Sequence, residues 1–400
     1  MRRSTVKLLM PIVAVAIQNN SASTLIPPYL DALHIPIAVV GSLISLGPVF
    51  SLISRLPVGM AYQRGRARNL ISIALLAMGL TNFFYGFAGD PLTFAIVHVL
   101  NGLAFGAVTT LYLAFYVDSL ETGENRNHAM GYYVGSLALG YSAGGFVGGF
   151  VADHWGYALT FQLAGALSLV SVALLWTLHE RDSTAMASVK PKAREQLTIK
   201  KAIAALLEPE LAIVLIVALF LNLLHQMSSV FISLYGLAVG MSLTQIGVLR
   251  GAFAGCNAVT RPISGHVVNK IGHKNLSYFG IPLQASILAL IPLFTGFYSV
   301  LIVYVASGAM RAVVIVANAV GLVQDVPENK VRRGLASGVY NAFGDLGNIL
   351  GPLIGGLIAQ AAGIGSVFIV GSLGSTVLFF AAILLARKLN ERRLGSSISH

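Results

Sequence analysis

Asp345 is the only acid deep inside any long apolar run of this chain, with Asn341 four residues before it and Asn348 three after. Residues at those spacings share one face of a helix. A carboxyl flanked by two amides can take up and release a proton, or with the amides hold a sodium ion. Arg311 competes for the same carboxylate: at 1.5 Å per residue, both lie about 17 Å from the same end of their helices, with Arg250 a turn or so further out. A static buried ion pair would use the same side chains, and breaking one is costly whatever its role. Further polar groups interrupt the apolar runs: Gln18, Asn19 and Asn20, then His98 and Asn101, then Asn222, His225 and Gln226, with Tyr340 beside Asn341. Amides and imidazoles offer hydrogen bonds to a solute, and a guanidinium grips carboxylate or phosphate through two parallel bonds. Glue between helices is the plain alternative for the amides.

The runs that must hold these groups dominate the composition. The chain has 400 residues, 56% hydrophobic and only 10% charged, with a mean hydropathy of +0.78. Soluble domains carry about 25% charged residues. A lipid bilayer is the solvent this composition fits, and a crossing helix needs about 20 largely apolar residues. Twelve segments meet that need: 6–30, 37–62, 69–88, 91–116, 128–152, 157–178, 209–236, 242–266, 275–297, 299–322, 334–360 and 364–386. The first is too long for a signal peptide and lacks a small-residue cleavage site. The expected fold is therefore an all-α membrane protein of twelve transmembrane helices.

Lys and Arg fall on one side of this plan. Arg2, Arg3, Lys7, Arg64, Arg66, Arg68, Arg126, six residues between 181 and 201, Lys270, Lys274, Lys330, Arg332, Arg333 and four after 386 share one face, while connections 31–36, 89–90, 153–156, 237–241, 298 and 361–363 contain none. That asymmetry places both termini in the cytoplasm. It also accounts for the net charge of +11 without nucleic acid. Residues 179–208, polar at their start, read as a cytoplasmic linker between six-helix bundles at 1–178 and 209–400, with a surface helix over 198–207.

The second half repeats the first. At an offset of 206, Tyr29 meets Tyr235, Gly41 Gly247, Arg55 Arg261, Gly59 Gly265, Asn69 Asn275 and Gly102 Gly308. At 207, Tyr133 meets Tyr340, and Gly144, Gly148 and Gly149 meet Gly351, Gly355 and Gly356. Chance agreement between apolar runs would favour Leu, Ala and Val instead. Six helices repeated in parallel imply pseudo-two-fold symmetry about the membrane normal. Gly140, Gly144 and Gly148, like Gly347, Gly351 and Gly355, have the small-xxx-small spacing of close helix contacts.

The stretches "GMAYQRGRAR" (59–68) and "GHVVNKIGHK" (265–274) resemble the G-x-x-x-D-R-x-G-R-R/K loop of the major facilitator superfamily. "HVLNGLAFGA" is similar to its R-x-x-Q-G-x-G pattern, and "LGYSAGGFVGG" to the G-x-x-x-G-P-x-x-G-G signature of the twelve-helix drug:proton antiporters. Gln63 and Asn269 stand where the loop has its acid, Arg66 at its second glycine, His98 at the arginine and Gly145 at the proline. The resemblance implies that helices 1, 4, 7 and 10 line a central cavity with 2, 5, 8 and 11 beside them, and that 3, 6, 9 and 12 face lipid. It also implies that Gly59, Arg64, Arg66, Arg68, Gly265, Lys270, Gly272 and Lys274 form gating loops.

No G-x-x-x-x-G-K-[ST] loop and no H-E-x-x-H motif occur, and Cys256 is the single cysteine, so no ATP site, metal or cofactor is expected. The reading is a monomeric secondary transporter of the bacterial or archaeal inner membrane, in contact with lipid and exchanging a small molecule against a proton or sodium ion. Export of amphipathic or hydrophobic compounds follows from the resemblance. Uptake or export of a polar metabolite, such as a sugar or organic anion, is the alternative that Arg250 and Arg311 favour. Lipid export and a non-transporting receptor are further alternatives. Substrate is expected at Asn19, Asn20, His98, Asn101, Asn222, His225, Gln226, Arg250, Arg311, Tyr340 and Asn341, and ion coupling at Asp345, Arg311 and Asn348.

Overall fold

A computed structural model describes residues 3–120, 126–178, 209–325 and 330–398. The expected linker at 179–208 and its surface helix lie outside the described residues. The described elements are all helical. They are α1 (Arg3–Ala32), α2 (Ile37–Ala61), α3 (Ala67–Tyr85), α4 (Pro91–Asp118), the stretch Arg126–Trp176, α7 (Pro209–Ala238), α8 (Leu243–Ile271), α9 (His273–Ala289), α10 (Phe297–Asp325), α11 (Lys330–Ala362) and α12 (Ser372–Ile398). Gly156, at φ 85° and ψ 171°, breaks the stretch Arg126–Trp176. Its two parts are α5 (126–155) and α6 (157–176). Among the described residues ten helices, counting Arg126–Trp176 as one, are long and apolar enough to cross a membrane.

Local chemistry sets the helix ends. Asp90 accepts hydrogen bonds from the Leu92 and Thr93 amides at 3.0 Å, with Pro91 supplying the fixed φ of a first helical residue. The bonds from Thr93 hold the Asp90 carboxyl below the usual carboxylate range, against a smaller push from burial. Ser242 and Gln245 cap α8 reciprocally. Gly272 and Gly363, at φ 90° and 85°, take the left-handed turns between α8 and α9 and after α11.

Glycines let the helices pack. On α5, Gly140, Gly144 and Gly148 lie against the α1 backbone at Val13, Ile17 and Ser21; on α11, Gly347 and Gly351 lie against α7 at Leu219 and Leu223, and Gly355 against Phe231. Both small-residue stripes are thus helix contacts, as their spacing predicts. Equivalent contacts recur along the chain. The Tyr29 hydroxyl donates to the Ala88 carbonyl at 3.2 Å, and Tyr235, 206 residues on, donates to Phe294, also 206 residues on, at 2.8 Å. Gly102 abuts Gly47, and Gly308 abuts Phe253.

The stretches 3–178 and 209–398 meet along two helix pairs. Gly41 of α2 abuts Pro352 and Gly356 of α11, while Gly247 of α8 abuts Gly145 and Gly149 of α5. Ser45 donates to the Ile349 carbonyl at 2.8 Å and Ser142 to the Gly251 carbonyl at 2.9 Å. The Asp153 carboxylate accepts from the Thr244 hydroxyl at 2.6 Å. These contacts lie toward the end whose connections lack Lys and Arg.

Large apolar side chains cover the outside. Ile73, Leu80 and Phe83 of α3, Leu163 and Leu169 of α6, Phe279 and Leu283 of α9, and Val377 and Leu384 of α12 are all exposed. The lipid-facing assignment fits α6, α9 and α12. It needs correction at the end of α3, where Asn82 and Tyr85 turn inward to line the central cavity. Both sit beside α4, where Asn101 donates to the Asn82 amide oxygen at 3.0 Å and His98 meets the Tyr85 hydroxyl at 2.6 Å.

Candidate functional site

A cavity of about 590 Å³ lies between the two stretches. Asn19, Asn20, His98, Asn101, Asn222, His225, Gln226, Arg250, Arg311, Asp345 and Asn348 all line it, contributed by α1, α4, α7, α8, α10 and α11. Two expected substrate residues do not. Tyr340 packs against Leu211, Leu215 and Val339 at the α7–α11 seam. Asn341 is exposed. A turn and more separates them from Asp345, enough to carry both out of the cavity wall.

The carboxylate finds a partner other than the one its depth predicts. Asp345 Oδ2 accepts from Arg55 Nη1 at 2.7 Å, joining α11 to α2 of the other stretch. Arg311 is committed elsewhere: it donates to the Leu221 carbonyl at 2.7 Å and to the Asn222 amide oxygen at 3.1 Å. Arg250 donates to the carbonyl and hydroxyl of Ser229 and, at 3.4 Å, to Ser23. Helix depth compares neighbours within one stretch. The direct packing of α2 on α11 brings Arg55 in from the other.

His98 serves the wall. Its Nε2–H donates to the Ile44 carbonyl at 3.2 Å, which leaves Nδ1 to accept the Tyr85 hydroxyl at 2.6 Å. The ring also stacks on Phe94, centroids 5.4 Å apart. Both nitrogens are therefore spent bracing α2, α3 and α4. His225 is different: it stacks on Phe253 at 5.3 Å and 12°, and its buried Nδ1 has no hydrogen-bond partner among the described residues. Asn20 donates to the Tyr141 carbonyl at 2.5 Å, and Asn101 to Thr81 at 2.9 Å as well as to Asn82. Those two amides join helices as well as face the cavity.

Residues outside the expected set complete the lining. Arg55 and Arg261 both face the cavity, with Asn257, Tyr141 and Tyr304. Arg261 Nε donates to the Asn257 amide oxygen at 3.1 Å, and Asn257 donates to the Gly308 carbonyl at 3.1 Å. The match of Arg55 with Arg261 in the repeat was the signal for both. Four arginines (55, 250, 261 and 311) and one acid, Asp345, thus line the cavity.

At the basic end, the 59–68 loop ties elements of its own stretch. Arg64 donates to the Asp118 carbonyl at 3.0 Å, Arg68 to the Leu178 carbonyl, and the Tyr62 hydroxyl to the Asp118 carboxylate at 2.8 Å. Burial, then the bond to Asp118, pushes the Tyr62 phenol up. Gly59 lies in the last turn of α2, and Arg66 in the short 3-10 turn Arg64–Arg66 that follows it. In the second loop Gly265 lies in open space, Gly272 makes the left-handed corner, and Lys270 and Lys274 flank it.

The sequence pattern of the Major Facilitator Superfamily matches residues 9–331 and, again, 214–398. The chain belongs to the Major Facilitator Superfamily. As a superfamily member with many apolar helices, it is an integral membrane protein of a transporter family. Multidrug resistance protein MdtG of Salmonella schwarzengrund is 26% identical over 348 residues, covering 84% of this chain and 81% of that one. Multidrug resistance protein 2 of Bacillus subtilis is 23% identical over 350 residues, covering 83% and 82%. Among solved structures, the nucleoside transporter NupG superposes with a TM-score of 0.79 at 15% identity, covering 97% of this chain and 100% of that chain. A bacterial homologue of the human lysosomal transporter Spinster, inward-facing and unoccupied, gives 0.77 at 15% identity, covering 97% and 95%. These two likenesses concern the fold.

Proposed function

We propose that this superfamily member is a proton-coupled secondary transporter that exports small amphipathic organic anions by alternating access. One observation carries the substrate class: the cavity sets four guanidinium groups against a single carboxylate. A cationic or neutral drug would leave three positive charges unanswered in a half-buried space, whereas an organic anion supplies what the wall lacks. The names of the two multidrug resistance relatives support export and an amphipathic body.

The chain crosses the membrane twelve times, in halves 1–178 and 209–400 related by a pseudo-two-fold axis. The break at Gly156 makes two spans of one stretch, and the 29-residue α8 supplies the remaining one despite its arginines. The recurring contacts of Tyr29 and Tyr235, and of Gly41 and Gly247, support that symmetry. Both termini face the cytoplasm, with the basic loops gating that side. The inter-half contacts crowd toward the charge-poor end, which supports an arrangement closed outside and open inside.

Asp345 is the coupling site, and its partner is Arg55 rather than Arg311. Rocking the halves apart around α2 and α11 separates the pair and leaves a half-buried carboxylate whose charge a proton removes. Of the two expected amide neighbours, Asn348 lines the cavity beside it and Asn341 does not. The test compares pH-gradient-driven accumulation with counterflow in proteoliposomes. Asp345→Asn should abolish the first and retain the second; driven accumulation by that variant would remove Asp345 from the coupling role.

A further inference from the structure

The ion pair across the halves has an incomplete twin. Arg55 of α2 corresponds to Arg261 of α8 at the 206-residue offset, and Gly41 to Gly247 on the same two helices. At the 207-residue offset of the partner helices, Pro352 and Gly356 of α11 correspond to Gly145 and Gly149 of α5. The contacts obey that correspondence: Gly41 meets Pro352 and Gly356, and Gly247 meets Gly145 and Gly149. The same offset carries Asp345 back to Ala138. Both Arg261 and Ala138 line the cavity. Arg261 has its Nε on Asn257, and among the described residues no carboxylate pairs with it. One inter-half helix pair therefore holds the ion pair complete, while the corresponding positions of the other carry a cation and a methyl group.

We propose that the anionic group of the substrate occupies this counter-ion position, pairing with Arg261 beside Ala138 as Asp345 pairs with Arg55. The inference rests on the organic-anion reading and adds to it the place of the head group. Among the described residues no hydrogen bond is made by the terminal nitrogens of Arg261, which can grip a carboxylate or phosphate through two parallel bonds, the geometry in which a guanidinium binds most specifically. The pairing also gives the substrate a mechanical role. A bound anion would bridge α8 to α5 on one side of the cavity while Arg55–Asp345 bridges α2 to α11 on the other, so both inter-half helix pairs hold an ion pair only when substrate is present. An aspartate at 138 would close the site permanently.

The experiment uses the purified full chain, with naphthalene-2-carboxylate, naphthalene-2-phosphate and benzoate as anionic probes and naphthalene-2-carboxamide as the neutral counterpart. Binding and thermal unfolding are measured for wild type, Arg261→Gln, Ala138→Asp, Ala138→Asn and Ala138→Asp/Arg261→Gln. Arg261→Gln and Ala138→Asp should each weaken the anions about ten- to a hundredfold, the range for losing a hydrogen bond to a charged group. Ala138→Asn, of equal size without charge, should stay within about threefold. Without any probe, Ala138→Asp should raise the unfolding temperature, and the double variant should lower it, because Arg261 is the cation that the repeat sets against position 138. Anion binding that survives both Arg261→Gln and Ala138→Asp overturns this placement and leaves the organic-anion reading intact. Failure of every anion to bind wild type overturns that reading, and a fall in stability for Ala138→Asp alone overturns the counter-ion position itself.

Discussion

Removing one member of the Arg55–Asp345 pair strands the other, and the side-chain exposures of 36% and 12% make the aspartate the more costly one to strand. Arg55→Gln and Asp345→Asn should each lower thermal stability, and the double variant should lose less than the sum of the two. Because the arginine is partly in water, the coupling should be about 1 kcal/mol in a double-mutant cycle; additive losses would mean the contact contributes nothing. Much of this site was legible residue by residue, since polar groups inside apolar helices are expensive and mark an interior or a wet cavity. Asn19, Gln226 and Arg311 face the cavity for that reason. The partner of Asp345 was not legible from depth, which ranks positions along a helix and is silent on which helix of the other half lies alongside. Tyr340 and Asn341 show the opposite error, where polarity and proximity in sequence stood in for depth along the helix: Asn341 shares the face of Asp345 but lies a turn away and is exposed.

At the scale of elements, glycine spacing carried two different messages. The stripes on α5 and α11 predicted close packing, and they pack on α1 and α7. Gly145, Gly149, Gly247 and Gly251 do something the spacing did not announce: they let α5 and α8 of opposite halves touch backbone to backbone. A methyl at Gly247 would stand 2.9 Å from the Gly149 Cα and closer still to the Gly145 carbonyl. Gly247→Ala should therefore part the halves at the charge-poor end, and a cysteine introduced at Ser142 should label faster with a water-soluble maleimide added from that side. Gly351→Ala, packed inside one half on Leu223 and Met227, should instead cost stability, typically about 1–3 kcal/mol for overpacking, without that change in labelling. Equal labelling in both variants would contradict the division between packing glycines and sliding glycines. Most helices were legible to within a few residues, because length and apolarity decide them; the segment 275–297 overran α9 by eight residues, and 364–386 stopped twelve short of the end of α12. The inward turn at the end of α3 was not legible, since Asn82 and Tyr85 gain their place from α4.

Across the whole molecule, residues that match at offsets of 206 and 207 meet an unequal distribution of charge. The helix pairs α2–α11 and α5–α8 touch at matching positions, and the cavity between them keeps four arginines but one acid among the described residues. The fold was legible because a membrane enforces helices and a positive-side bias. The charge imbalance was only half legible, because Arg55 and Arg261 sit within otherwise ordinary helix ends and count only once both are seen to face one cavity. The most direct measurement is exchange across proteoliposomes: labelled naphthalene-2-carboxylate outside, unlabelled inside, with an amphipathic quaternary ammonium compound of similar size run in parallel. The carboxylate should exchange saturably, about tenfold or more slowly in Arg311→Gln, and the ammonium compound should not exchange. Saturable exchange of the ammonium compound with none of the carboxylate would contradict the organic-anion reading.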